Sequence, residues 1–508
     1  MLSSSRRLLA LDHFRIPYEL STSRASSQLE QLRCGDAGPL LLWPRTDLAR
    51  ADAVLAMLGE PSGSGLKIFA RVVPDDVAER ALAEWGGRWH RACGVFGTDG
   101  DRVGSLWRSD DGSVFLPFDP DEVCTNYRSE RYNAITRRPG ATDWRRLAVL
   151  TYYQSRRLLP RSTQIWLRRH YARLQARRQF PRWPLETGLH DFLDAIFSLV
   201  QSLAGEPVPR IAAWPGGKSW ALVLTHDVET EVGLGALDRV LEIERSMGLR
   251  SAWYLVPRRY DISQDTVDAL LADGFEVGVH GLYHDGRDLA SMSLLRRRLP
   301  AMHEAAGRWR AVGFRAPATQ RNWNLMAMLD FDYDTSYPDS DPFEPQSGGC
   351  CTWLPFFIGD VVELPMTMTQ DHTLFTILRQ SDERAWVEKA EKLRSHGGMV
   401  TLDTHPDYLI RDEILVAYRR FLESMLRFDD AWRALPHEVS AWWRDRARLQ
   451  LQRGADGWAV VGRRAQEARM EFVETNVGVL EMLGCGVKKG EASASGEAMG
   501  KAHEGEVN

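Results

Sequence analysis

The sequence predicts an α/β protein: a closed or nearly closed barrel of parallel strands over residues 213–445, preceded by a mixed α/β amino-terminal domain over residues 1–150. Three observations carry this expectation. Short apolar runs alternate with amphipathic helical stretches, roughly seven times in the later region, which is the pattern of repeated parallel β–α units. The unusual polar residues of that region follow directly on the apolar runs, at the strand ends where such folds bind ligands. The chain has 508 residues, too many for one ordinary domain.

Within 1–150, GPLLLW and LKIFARVV read as strands, and LARADAVLAML and DDVAERALAEW as helices. SLWRSDDGSVFLPF sets Asp111-Gly112 between two apolar runs, a hairpin signal. GEPSGSGLK is rich in Gly and Ser but lacks phosphate-loop spacing, so it reads as a turn. Residues 151–212 form an expected Arg-rich helical connector, in which 155–182 hold nine arginines and no acid. That composition fits a solvated helix face. It also fits a site for phosphate, anionic glycan or lipid headgroups, with Trp166 and Tyr171 among the arginines and weak membrane-surface contact as a consequence. PRWPLETGLHDFLDAIFSLVQSLAG reads as a proline-bounded entry and an amphipathic helix, and a linker or turn, AWPGGKSW, leads into the next region.

There the elements become regular. WALVLTHD reads as a buried strand and LGALDRVLEIERSMG as a helix with a glycine stop. LRSAWYLV, FEVGVH, AVGFRAP, DVVELP and GMVTLDTHP are further strands. DTVDALLADG, LLRRRLPAMHEAAG, ERAWVEKAEKLRSHGG and RDEILVAYRRFLESML are helices, the second broken or kinked near Pro300. Residues 446–487 are a carboxy-terminal extension with DGWAVVG as one more strand. Residues 488–508 are small, polar and expected to be disordered.

Bulk properties exclude several classes. A net charge of −5 argues against nucleic acid as a partner of the whole chain. No run approaches the roughly 18 apolar residues of a spanning helix. Asp12 and His13 interrupt the start, so it does not read as a secretory signal, and a cytoplasmic location is expected. Cys34, Cys93, Cys124, Cys350, Cys351 and Cys485 form no CxxC pair and are expected to be reduced, structural thiols.

The chemistry concentrates at four predicted strand ends: THDVE, VGVHGLYHD, GFRAP and TLDTHPDYL. If the strands are neighbours, these side chains meet at one mouth. His280 and His284 have the spacing that turns two imidazoles toward one ion. A carboxylate from another strand end completes a site with open positions. Asp227 and Glu229, two apart in an extended segment, share a side, so one can bind the ion while the other accepts a proton. Zinc is the first choice, with manganese, cobalt and nickel also compatible. Arg315 is placed to keep one acid ionised, and His405 to donate a proton. His303-Glu304 does not extend to HExxH, since Gly307 stands where the second histidine would, and His372 and His396 look incidental.

THDVE, HGLYH, GFRAP and LDTHP, in this order, resemble the motifs of the polysaccharide deacetylase (NodB-homology) family over residues 214–440. The resemblance implies a distorted (β/α) barrel deacetylase domain that removes N- or O-acetyl groups from sugars with a divalent metal. Matched residue by residue, it makes Asp227 the catalytic base, Glu229, His280 and His284 the metal ligands, Arg315 the residue steadying the base and His405 the acid. Tyr283, Pro317 and Asp403 are then expected substrate contacts, and His226 a partner supporting the metal site. Three positions depart from the pattern: Glu229 replaces the usual aspartate, Gly281 a serine or threonine, and Ala318 an aromatic. Residues 105–132, ending FDPDEVCTNYRSERY, are more faintly similar to the amino-terminal part of longer members. The expected partner is an acetylated saccharide, lipid- or nucleotide-linked if the protein is cytoplasmic. A glycan-binding protein without activity and a hydrolase of a non-sugar amide are the alternatives.

Overall fold

The computed structural model describes residues 2–20, 28–35, 38–45, 48, 53–59, 65–136 and 160–485. The expected Gly/Ser turn falls largely, and the expected disordered tail wholly, outside the described residues.

Trp220–Val228 is the strand around which the later half is built. All nine residues are buried, because parallel neighbours lie on both sides, Ala252–Leu255 on one and Met399–Thr404 on the other. Beyond Ala252–Leu255 the parallel sheet continues through Glu276–Val279, Gly313–Phe314, Tyr333–Asp334 and Val361–Glu363, and Phe356–Ile358 adds an antiparallel edge. The gap back to Met399–Thr404 is filled by residues 366–368. The Met366 amide donates to Tyr337 O, the Met368 amide to Thr401 O, and Thr367 Oγ1 to Met399 O. Single hydrogen bonds, not a continuous ladder, thus close the curl.

The expected helices cover the outside, two of them started by Ser263 and Ser291, whose hydroxyls accept from Thr266 N and Leu294 N. The helix Met292–Trp309 runs through Pro300 without the expected break. Its buried face, Leu295, Met302, Ala305 and Trp309, holds both halves on the sheet and offsets the roughly 3 kcal/mol that an interior proline costs. Tyr333–Asp334, Phe356–Ile358 and Ala431–Arg433 were not predicted; two or three residues carry no readable period.

Among the described residues, the amino-terminal region forms its own nine-stranded mixed sheet. The expected hairpin is present, with Arg102–Ser109 antiparallel to Val114–Phe115 and Gly112 at φ +90. VLAML is a strand rather than the expected helix. Val54–Leu58 is held between Leu66–Ala70 and Trp89–Gly97, where cross-strand pairing overrides helix propensity. The helix Gly188–Ala204 packs Leu189, Phe192, Ile196 and Leu199 into this same core, so the second half of 151–212 belongs to the amino-terminal core rather than to a connector. The extension also returns to the body. Met470–Glu471 pairs with Arg210–Ile211, Leu480 and Leu483 enter the amino-terminal core, and the expected strand is present as Gly457–Val461, in a hairpin with Gln450–Gly454. All six cysteines are free and buried, and burial pushes Cys34 and Cys124 up to about 12, away from reactivity. Among the described residues no helix is long and apolar enough to cross a membrane.

Candidate active site

Parallel pairing puts the carboxyl ends of four strands side by side. Asp227 ends one, His280 follows the next but one, Arg315 follows Gly313–Phe314, and Asp403 and His405 end the strand on the other flank. The in-register pairs Thr225↔Asp403 and Val279↔Phe314 fix these side chains at one level.

Arg315 is the hub. It is 1% exposed and all five of its N–H groups have acceptors. Nη1 donates to Asp227 Oδ1 at 2.9 Å and to Asp403 Oδ1 at 2.7 Å, Nη2 to Thr225 Oγ1 and Thr335 Oγ1, and Nε to Thr335 O. The guanidinium also lies over the Tyr254 ring, 4.4 Å from its centroid. Burial alone would raise the Asp227 carboxyl, but Arg315, His280 and His405 outweigh it and hold Asp227 below the usual carboxylate range. Asp403 ends on the other side of this balance. Burial and the neighbouring Asp227 charge raise it well above the usual range despite Arg315. Two acids thus share one cation, which holds Asp227 down while Asp403 is raised.

Glu229, His280 and His284 offer three ligand atoms within 4.8 Å of one another. His284 Nε2 lies 2.9 Å from Glu229 Oε1. His280 Nδ1 lies 3.1 Å from the Arg315 carbonyl, which can only accept, so Nδ1 carries the proton and Nε2 presents a lone pair to the mouth. Burial lowers the His280 pKa to about 4 and keeps the ring neutral. Two imidazoles and a carboxylate are a donor set that fits a divalent ion. Asp227, Asp403 and His405 form a second group within the same span.

His405 is anchored by a residue that sequence reasoning missed. Asp371 accepts from His405 Nδ1 at 2.7 Å through Oδ1 and from the His405 amide at 2.9 Å through Oδ2. Burial alone would lower the His405 pKa, but Asp371, Asp403 and Glu229 raise it well above the ordinary value. Its Nε2 faces the mouth, 3.9 Å from both Glu229 Oε1 and Asp403 Oδ2. The signal was the acid in TQDHT, beside the His372 that looked incidental. That histidine is also brought close, its ring 4.8 Å from Tyr408 and lowered to about 4 by burial and by His405. Asp407 was missed too; it accepts from the Glu229 amide at 3.0 Å and from Thr230 Oγ1, fixing the turn that carries Glu229.

Other expectations need correction. His226 does not support the metal ligands. Side chains alternate along a strand, so its ring faces the outer helices, bonding Thr404 Oγ1 and Glu244 Oε1, each at 2.8 Å. Asp403 is wholly buried and binds Arg315. Tyr283 is 41% exposed at the rim, held by Arg258, and Pro317 is buried against Gly281. Gly281 has a structural cause: its φ is +62, and a Cβ there would stand 2.5 Å from Asp288 Oδ2 and 2.7 Å from Pro317 Cδ.

The Arg-rich helix Arg161–Gln175 lies against the Asp371-bearing segment. Arg168 Nη2 donates to Phe343 O at 2.8 Å and Arg169 Nε to Thr376 O at 3.0 Å, so two of the nine arginines fasten the helix down. Arg173 and Arg177 are exposed, while Arg156 and Arg157 lie outside the described residues.

No protein-family model and no curated relative matches the chain. Among solved structures it is similar to a candidate polysaccharide deacetylase from Mycobacterium smegmatis, with 21% identity over 46% of this chain and 93% of that one and a TM-score of 0.39. It is also similar to Puue allantoinase, with 18% identity over 46% and 92% and a TM-score of 0.39. A third similarity is to the family 4 carbohydrate esterase from Streptomyces lividans in complex with acetate, with 14% identity over 42% and 91% and a TM-score of 0.30.

Proposed function

We propose that the protein is a metal-dependent hydrolase that removes acetyl groups from an N- or O-acetylated sugar. The observation that carries this reading is the meeting, at one mouth, of a two-histidine-one-carboxylate set with Asp227, paired with Arg315, and His405, paired with Asp371. One charged base and one charged acid flanking a cation site is the arrangement that acyl hydrolysis needs.

Glu229, His280 and His284 would hold the ion, zinc as first choice, with manganese, cobalt or nickel compatible. Such an ion supplies Lewis-acid polarisation of an acyl carbonyl and acidifies water. The chain's own residues do the rest. Asp227 has Oδ1 tied to Arg315 and Oδ2 toward His280, at 3.5 Å from its Nε2. Oδ2 is therefore the oxygen that accepts a proton from attacking water. His405, with Nδ1 fixed on Asp371, delivers its Nε2 proton to the leaving nitrogen or oxygen. Arg315 keeps Asp227 ionised until it takes that proton. Tyr283 at the rim is a contact for the saccharide, and Arg173 and Arg177 are the exposed cations for any anionic portion of it.

The test is metal content of the wild type beside His284→Ala, followed by acetate release from a panel of acetylated sugars and of acyclic and cyclic amides. About one ion per chain, lost in the variant, with acetate released from sugars, supports the reading. Saccharide binding with neither metal nor acetate release would replace it with the glycan-binding alternative, and turnover confined to amides with the non-sugar one.

A further inference from the structure

The deacetylase reading leaves residues 2–136 without a task, yet their last helical segments contact the barrel. Tyr127–Tyr132, YRSERY, turns at Glu130, whose φ is +58. The Glu130 carboxylate meets Arg321 of the barrel in a two-pronged ion pair, Nε to Oε2 at 2.7 Å and Nη2 to Oε1 at 2.6 Å, with the Arg321 side chain 0% exposed. Tyr132 docks beside it, its hydroxyl donating to Gly349 O and accepting from the Gly349 amide. Gly348 leaves the room: a Cβ there would lie 2.4 Å from Glu130 Oε1.

Arg321 passes this hold onward. Its Nη1 donates to Thr319 O at 2.9 Å. Thr319 and the preceding Ala318 have φ of +50 and +57, a left-handed conformation that side-chain-bearing residues adopt only where the surroundings impose it. Pro317, which begins this turn, is the residue that abuts Gly281 and so backs the loop carrying His280.

We propose that Glu130 is a positioning residue: through Arg321 it holds the strained Pro317–Thr319 turn against the His280–Gly281 loop, so the amino-terminal region completes the site in the barrel. The catalytic part of this inference rests on the deacetylase reading, while the clamp itself does not. A buried charge pair joining two cores is a costly way to make a mere linker. Its placement on the one turn, among the described residues, with two consecutive left-handed non-glycine residues gives it a task.

The experiment uses the full chain with Glu130→Gln, and Glu130→Asp, which keeps the charge and shortens the reach, should the first not fold. Hydrogen exchange is followed in peptides covering 279–290 and 313–325, beside zinc affinity and kcat/KM on an acetylated sugar. The clamp predicts lost protection in those two peptides while 2–116 stays protected, zinc bound about 10-fold more weakly, and kcat/KM down about 100-fold. Adding Ala318→Gly, which accepts the left-handed turn without strain, should restore protection and zinc affinity. Unchanged exchange in both peptides, or lost protection that glycine does not restore, would overturn the proposal. If the wild type turns over no acetylated sugar, the deacetylase reading fails separately, and exchange and zinc affinity still decide the clamp.

Discussion

Asp371→Asn offers the sharpest check on the proposed acid. In the wild type Asp371 accepts two hydrogen bonds from His405, from Nδ1 at 2.7 Å and from the main-chain amide at 2.9 Å, in a fully buried setting. Asparagine has the same shape but one acceptor oxygen and no charge, so one buried donor loses its partner and the imidazolium loses its counter-ion. A hydrogen bond to a charged group contributes about 1.5–3 kcal/mol. At about 1.4 kcal/mol for each tenfold change in the proton equilibrium, losing it lowers the His405 pKa. The sign follows from the role. The protonated ring is active, so activity is lost as pH rises through its pKa, and the basic limb of kcat/KM should move to lower pH in the variant. The same linkage acts on stability: the raised pKa contributes stability that is fully present below about 6.5 and lost as pH rises through the folded value. The assay is a pH–rate profile of both proteins from pH 5 to 10 on one acetylated sugar. A basic limb that stays in place, or moves to higher pH, would refute His405 as the acid.

Four further outcomes are expected. Asp227→Asn should lower turnover by several orders of magnitude while elemental analysis finds the metal retained, as the proposed role of base rather than ligand requires. Arg315→Met leaves Asp227 and Asp403 buried without their shared cation and should cost about 3–5 kcal/mol in denaturant unfolding; a change under 1 kcal/mol would contradict the hub. Gly281→Ala combines a positive φ with two close contacts and should weaken metal binding, measured by calorimetry, with partial recovery expected from no neighbouring side-chain change because Pro317 is rigid. Arg173→Ala with Arg177→Ala should reduce co-sedimentation with anionic vesicles or affinity for anionic saccharides without lowering stability, whereas Arg168→Ala should lower stability, since Arg168 fastens its helix to Phe343 O.

Much of this was legible in the chain because the chemistry is local. Alternating apolar runs and amphipathic helices disclosed the parallel α/β region, and strand ends marked where polar residues would gather. Spacing put Asp227 with Glu229, and His280 with His284, on shared sides. The misses have a common form. Asp371 and Asp407 act on residues far away in sequence, so neither stands in a pattern with its partner. His226 was misplaced because its neighbours were chemically suggestive while strand alternation sent it to the outer face, toward Glu244. VLAML could be helix or strand until its neighbours were known.

By itself, then, the sequence determined which side chains stand at the strand ends and which faces they share, since backbone periodicity depends only on local geometry. Tertiary structure decided the charge states and the division of labour. Asp227 is held down and Asp403 raised around one buried guanidinium between them, and His405 is raised by Asp371, 34 residues away. It also decided that residues such as Leu189 and Leu480 share one core with the amino-terminal sheet, and that Glu130 reaches Arg321. Electrostatic energies grow as water is excluded, and only folding determines which groups are buried together.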